Sequence, residues 1–448
     1  MTHHALVGSR RGRTAVVALA AVALLAAGCG HDDEAASVAT TAEPAASPSS
    51  VDTTTGVETT AAAASTSAAV TKEPLKVGLL GAITGPSASG QRSIDKIAGA
   101  WQEWVNANGG VNGHPVEIVF RDSANDPAKA AAVAKELVEQ EGVISIALSD
   151  TSVEDAVGPY LQEQRVPVIG SFGFSSNVWG KLDNFFPLKT SVLAIVAGPV
   201  LAAKLDGATT FGAVVCAENS SCAQAEELYK PLMESMGIGY AGLAKAGFEE
   251  PSYTAQCLAL MGNGADYIQI NLTTVGATRL VKDCIDQGYT GTFGLANGTA
   301  LASAMSELPA EANVFGVIDG FPWWVTDGPA ADFHAAMDAA GLTDADFGNS
   351  AETALWASLE MFRTVMADAP DAPTRDDVFA AIYSVKDEDL GGLLPQTVTF
   401  SEGQVAPALD CFWYYRYSNG EFSMVEEDSP SGNSVSSGAL KSACFTPG

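Results

Sequence analysis

Ser149-Asp150-Thr151-Ser152 is the stretch of this 448-residue chain whose residue types most invite chemistry. It follows an apolar run, Val143 to Leu148, and opens a helical pattern, Asp155 to Gln164. Hydroxyls beside free backbone N–H groups at a helix start can hold a carboxylate, and the helix dipole favours that charge. The same residues can cap the helix, and the two roles are compatible. A second such stretch, Ser171-Phe172-Gly173-Phe174-Ser175-Ser176, follows Val166 to Ile169. Phe172 and Phe174 either line a cleft or pack beneath one. Covalent catalysis has poorer material. The body of the chain carries only His114 and His334, far apart in sequence. It has no Gly-x-Ser-x-Gly, His-Glu-x-x-His or Gly-x-x-x-x-Gly-Lys-Ser/Thr pattern. No enzyme, no cofactor and no metal site is expected.

These loops need elements to hold them. Leu75 to Leu80, Val116 to Phe120, Val143 to Leu148 and Val166 to Ile169 read as strands. Helices alternate with them. Ile94, Ile97, Ala98, Trp101, Trp104 and Val105 form one apolar stripe, with the tryptophan pair as core. Asp126-Pro127 starts another helix. The alternation repeats with strands at Phe211–Val215, Tyr240–Leu243, Tyr267–Asn271, Phe293–Ala296 and Val314–Ile318. This predicts an α/β fold of two doubly wound lobes. Thr397 to Phe400 and Phe412 to Tyr417, with turns at Glu402-Gly403 and Asn419-Gly420, read as a closing β-meander.

Asp and Glu number 53 against 23 Lys and Arg, for a net charge of −30. Such a surface repels phosphate backbones, so no nucleic-acid partner is expected. It repels anionic lipid headgroups as well. Most of these acids serve solubility.

Arg10, Arg11 and Arg13 precede a mostly apolar run, Ala15 to Ala27, that is too short to span a bilayer. Leu25-Ala26-Ala27-Gly28-Cys29 resembles the lipobox of bacterial lipoproteins. That resemblance implies a signal peptide over 1–28 and a lipid on Cys29 at the outer face of the cell membrane. Residues 30–74 are rich in Ala, Ser, Thr, Glu and Pro and lack aromatics, so 29–74 is expected to be a disordered tether. As a random coil it spans roughly 35–40 Å. Six further cysteines in an oxidising compartment imply three disulfides. Pairing in chain order gives Cys216–Cys222, Cys257–Cys284 and Cys411–Cys444.

Lys76 to Pro86, Val105 to Val116, Arg121 to Ala130 and Val398 to Gly403 together resemble type I periplasmic binding proteins of the leucine/isoleucine/valine-binding group. The resemblance covers roughly 75 to 425. It implies two Rossmann-like lobes joined by a hinge of three crossings. Lobe one would be 75–193 with 323–394, and lobe two 194–322 with 395–448. It further implies a lipid-anchored, monomeric solute-binding protein. A small polar ligand, an amino acid or a related amide or carboxylate, would sit between the lobes and pass to an ABC permease. A ligand sensor for a signalling partner and a secreted α/β hydrolase are the alternatives.

By the same resemblance Thr151 is the hydroxyl contact to a ligand carboxylate, and Phe174 or Ser175 falls where the family has a second. The family's cleft tyrosines fall on Ser220 and Thr273, and its acid for the ligand ammonium on Asn297. Either Asp150 supplies that charge or the ligand lacks an ammonium group. Neutral Asn and Thr suit amides, alcohols or sugars. Trp324, near an expected crossing, either stacks on a ligand or wedges the hinge.

Overall fold

The computed structural model describes residues 72–445, apart from 87, 171–174, 176, 179, 218–219, 249, 296–300 and 438–439. The first lobe opens with β1 (Leu75–Gly81), α1 (Ile94–Ala107), β2 (Val116–Asp122), α2 (Pro127–Lys135), β3 (Ser145–Leu148), α3 (Glu154–Glu163), β4 (Val168–Ile169) and β5 (Phe185–Phe186). Its strands are parallel in the order β2-β1-β3-β4-β5. Near-continuous apolar runs such as Leu75 to Leu80 suit this sheet because helices cover both its faces.

The chain then crosses to the second lobe. It adds α4 (Val192–Leu205), β6 (Thr210–Cys216), α5 (Ser220–Met236), β7 (Gly239–Ala246), α6 (Thr254–Gly262), β8 (Tyr267–Asn271), α7 (Thr274–Asp286), β9 (Thr292–Leu295), α8 (Ala302–Met305) and β10 (Val314–Ile318). These strands run parallel in the order β7-β6-β8-β9-β10. A second crossing returns the chain to the first lobe for α9 (Ala331–Ala339), α10 (Asp344–Phe347), α11 (Ser350–Val365) and α12 (Arg375–Tyr383). A third leads to β11 (Cys411–Ser418), β12 (Glu421–Val425), β13 (Asn433–Ser437) and β14 (Leu440–Cys444), which extend the second sheet. The fold is α/β, with two Rossmann-like lobes joined by three crossings.

Local chemistry sets the element ends. Asp126 caps α2, its carboxylate accepting from Ala128 N at 2.7 Å and Lys129 N at 3.0 Å, with Pro127 in the first turn. Asn419 (φ 53°) and Gly420 (φ 85°) make the two-residue turn of the β11–β12 hairpin, which needs both residues left-handed. The stripe of α1 is buried as expected, with Trp101 fully enclosed and its indole N–H donating to Glu360 on α11 at 2.7 Å. Trp104 is only partly buried, 5.6 Å from Trp356.

One expected strand is not formed. Thr397 to Phe400 contributes only an isolated bridge, Val398 to Glu388. Phe400 instead turns into the first lobe, edge-on to Phe186 at 5.2 Å. The neighbour of β11 at Cys411 is β14, tied by the Cys411–Cys444 disulfide. Cys257–Cys284 joins α6 to α7. Both pairings follow chain order. Cys216 is also disulfide-bonded, while the side chain of Cys222 and the whole of Cys29 lie outside the described residues.

Candidate functional site between the lobes

In a doubly wound sheet the loops beyond the carboxyl ends of the strands form the site. Beyond β3, Asp150 caps a single 3-10 turn, Thr151–Val153, that feeds α3. It is 1% exposed, and its carboxylate accepts four hydrogen bonds. It accepts from Ser123 Oγ at 2.5 Å, Asn125 Nδ2 at 3.1 Å, and the N–H and hydroxyl of Ser152 at 3.0 and 2.6 Å. Asp150 therefore welds the β2 and β3 loops together. Ser149 and Thr151 are half-buried, and the Thr151 hydroxyl has no partner among the described residues. Ser152 is exposed and bonded to Asp150.

Beyond β4, Phe172, Gly173 and Phe174 lie outside the described residues. Ser175 is drawn onto the first turn of α3. Its N–H donates to Glu154 Oε2 at 2.7 Å and its hydroxyl to the Asp155 carboxylate. Gly170 (φ 88°) lets α11 approach closely, since a Cβ there would lie 1.9 Å from Ser358 Oγ. Ser149, Gly170, Lys189 and Ser358 border a void of about 10 Å³, enough for one water.

In the second lobe, Thr273 caps α7, accepting from Gly276 N at 3.3 Å and donating to Phe248 O at 3.2 Å. Ser220 begins α5, with its side chain outside the description, as is Asn297 altogether. Trp324 is part of an aromatic wall at the second crossing. One face of its ring stacks on Phe422 at 4.8 Å, and Trp323 meets it edge-on at 4.7 Å. Phe422 thus covers one face of the Trp324 ring, which remains only partly buried.

A larger cavity, about 280 Å³, lies where the start of α1 faces α7 and α8. Arg92 borders it from the first lobe. Thr274, Thr278, Arg279 and Lys282 of α7, with Ser303 and Glu307, border it from the second. Two buried carboxyls sit near the crossings. Asp319 follows β10, and Glu352 lies in the first turn of α11, at 1% and 2% exposure. Burial raises both. The Glu352 carboxyl is pushed up to about 8, against the pull of Lys189, the Ser93 N–H and Arg92.

Sequence reasoning passed over Arg92, Arg279, Lys282, Asp319 and Glu352. The spacing of Thr274, Thr278 and Lys282 at successive i, i+4 steps was a usable signal for one helix face. Nothing local marked the buried acids. Among the described residues no group of His, Cys, Asp or Glu is disposed to hold a metal, and no helix is long and apolar enough to cross a membrane.

Comparison with known proteins agrees with this architecture. A 68-residue stretch is 41% identical to the Leu/Ile/Val-binding protein of Escherichia coli (strain K12), covering 15% of this chain and 18% of that protein. The match therefore spans about a fifth of the length of the curated relatives. The fold superposes on a fatty acid ABC transporter substrate-binding protein from Thermomonospora curvata with a TM-score of 0.65 and 20% identity, over 80% of this chain and 92% of that one. It also superposes on an ABC transporter solute binding protein from R. palustris in complex with 4-hydroxybenzoate, with a TM-score of 0.63 and 20% identity, over 80% and 96% of the two chains. Residues 74–421 match the periplasmic binding protein family as a whole. With that match across most of its length and two Rossmann-like lobes to carry it, the chain belongs to the periplasmic binding protein family, of type I.

Proposed function

We propose that this chain is an extracytoplasmic solute-binding protein that closes two lobes over a small polar ligand and hands it to the permease of an ABC importer. The lobes are 75–193 with 323–394 and 194–322 with 395–448. A lipid on Cys29 anchors the chain, and 29–74 is the tether. The protein acts as a monomer and performs no reaction on its cargo. One observation carries the reading: the cavity of about 280 Å³ is bordered by residues of both lobes. A solute seated there touches both walls, and only such a solute can bias an open–closed equilibrium. The unpartnered Thr151 hydroxyl, on a loop locked by Asp150, offers a further contact. The family's solved members named above are described with fatty acid and 4-hydroxybenzoate, and its curated relatives with amino acids. All of these carry a carboxylate, so a carboxylate or a close amide is the expected ligand type.

The test is a thermal-shift screen of the purified chain with amino acids, amides, polyols and aromatic acids. A ligand at a hundredfold excess over its Kd adds about 2.7 kcal/mol. The hit should contract the particle in X-ray scattering, and Thr151→Ala should weaken it about tenfold without lowering the free protein's Tm. A screen with no shift and no contraction would overturn the reading. Cys29→Ser should release the chain from the membrane fraction, and retention there would remove the anchor.

A further inference from the structure

We propose that the cavity between α1, α7 and α8 is an anion site, in which Arg92 of the first lobe and Arg279 and Lys282 of the second grip an acidic group of the solute, a carboxylate or a phosphate. The proposal rests on the solute-binding reading above and names the chemistry of its cargo. The charge balance of the wall is the first argument. The chain carries 53 acids against 23 cations, yet this cavity gathers three cations and one acid, Glu307. A solvated face of so acidic a protein would show the opposite ratio.

The second argument is how the cations are held. Arg279 gives one guanidinium nitrogen, Nη1, to the carbonyl of Glu250, which aims the planar fork while its remaining N–H groups stay available to a bidentate anion. Lys282 stands 3.5 Å from Glu307 in an exposed pair, and exposed pairs of that kind hold weakly enough to be exchanged. Arg92 is exposed and has no ion pair among the described residues. The first turn of α7 borders the same space through Thr274 and Val275, and its dipole favours an anion.

The arrangement also explains how cargo would drive closure. Bringing Arg92 up to α7 gathers like charges, which opposes the closed state when the cavity holds only water. An acidic group between them turns that repulsion into attraction, so its affinity differs between the open and closed forms. A neutral solute lacks this leverage.

The experiment uses the full mature chain and matched probes that differ in charge: 4-hydroxybenzoate with 4-hydroxybenzamide, glutarate with glutaramide, 4-methylpentanoate with 4-methylpentanamide, and glycerol 3-phosphate with glycerol. Binding is followed by calorimetry and closure by scattering. The acids should bind at least tenfold more tightly than their neutral partners, and added salt should erode that margin. Arg92→Gln and Lys282→Gln should each weaken the best acid about tenfold, with the Tm of the free protein unchanged or raised. The ratio of glutarate to glycerol 3-phosphate distinguishes a carboxylate site from a phosphate site. Neutral probes that bind and close the lobes as well as the acids, or acid binding indifferent to both substitutions, would overturn the anion site and leave the solute-binding reading standing. Silence from every probe, charged and neutral, would overturn both.

Discussion

Replacing Glu352 by Gln should make the protein more stable in mild alkali. The carboxyl is 2% exposed, and its Oε2 has no hydrogen-bond partner among the described residues. Burial pushes it up to about 8 from an ordinary 4.5, and Lys189, the Ser93 N–H and Arg92 only partly offset that. The folded state therefore holds a proton that the unfolded chain releases near 4.5. This group's contribution is fully present below about pH 4.5, declines as pH rises towards 8, and levels off above it. At about 1.4 kcal/mol per pH unit, the full shift has a ceiling of about 5 kcal/mol. Relaxation and water entry reduce that, so roughly 2–3 kcal/mol is the expected loss. Glu352→Gln keeps the shape and the neutral state. Its stability should match the parent's at pH 4 and exceed it by that amount at pH 8.5. Urea unfolding followed by tryptophan fluorescence between pH 4 and 9, with calorimetry to separate the lobes, measures the difference. Asp319, raised in the same direction, should leave a residual slope in the variant. Two parallel curves, or a variant weaker at high pH, would refute the account of a protonated buried acid.

Three further outcomes follow from the packing. Gly170→Ala should cost at least about 2 kcal/mol, since its Cβ would meet Ser358 Oγ at 1.9 Å on a left-handed backbone; chemical denaturation would show it. Asp150→Ala should lower stability by about 3 kcal/mol and weaken ligand binding as well, because it removes the buried acceptor shared by Ser123, Asn125 and the N–H and hydroxyl of Ser152; calorimetry with a ligand titration separates the two effects. Removing the Cys257–Cys284 bridge by a double alanine substitution frees a 27-residue separation in the unfolded chain, worth about 3–4 kcal/mol on the loop-entropy estimate, and thermal unfolding should shift accordingly.

Strands buried on both faces were the most legible in sequence, although the half-open edge strands β2 and β7 could be read as well. Val314–Ile318 is a short apolar run, and Tyr267–Asn271 is a β-prone run carrying the buried Gln269; both form strands over the same residues. Phe185–Phe186 is too short to show a period. Asn433–Ser437 is nearly all polar, and it joins the sheet because β14 offers it a partner. Thr397 to Phe400 misled because its alternation was real, but Phe400 served the first lobe. At the site, the hydroxyl loop after β3 was legible as a helix start. Arg92 and Lys282 lie far apart in the chain and meet only through the fold. Glu352 in a first helical turn reads as an exposed partner of the helix dipole, and only the packing of α11 buries it.

The seam between α1 and α11 has a consequence for how the chain matures. Trp101 and Glu360, 259 residues apart, meet across it, and the backbone oxygens of Ala369 and Pro370 receive Asn112 and His114 beside it. All five strands of the first sheet emerge by residue 186, yet the helix that roofs them is synthesised after the whole parallel sheet of the other lobe. Until then a greasy flank containing Ile97 and Trp101 stays bare. A nascent chain threading outward N-terminus first must wait, shielded by a chaperone or by slow collapse, for its late-arriving lid. Premature termination anywhere before α11 would leave a product with complete strands and an adhesive side, fit for clearance rather than service.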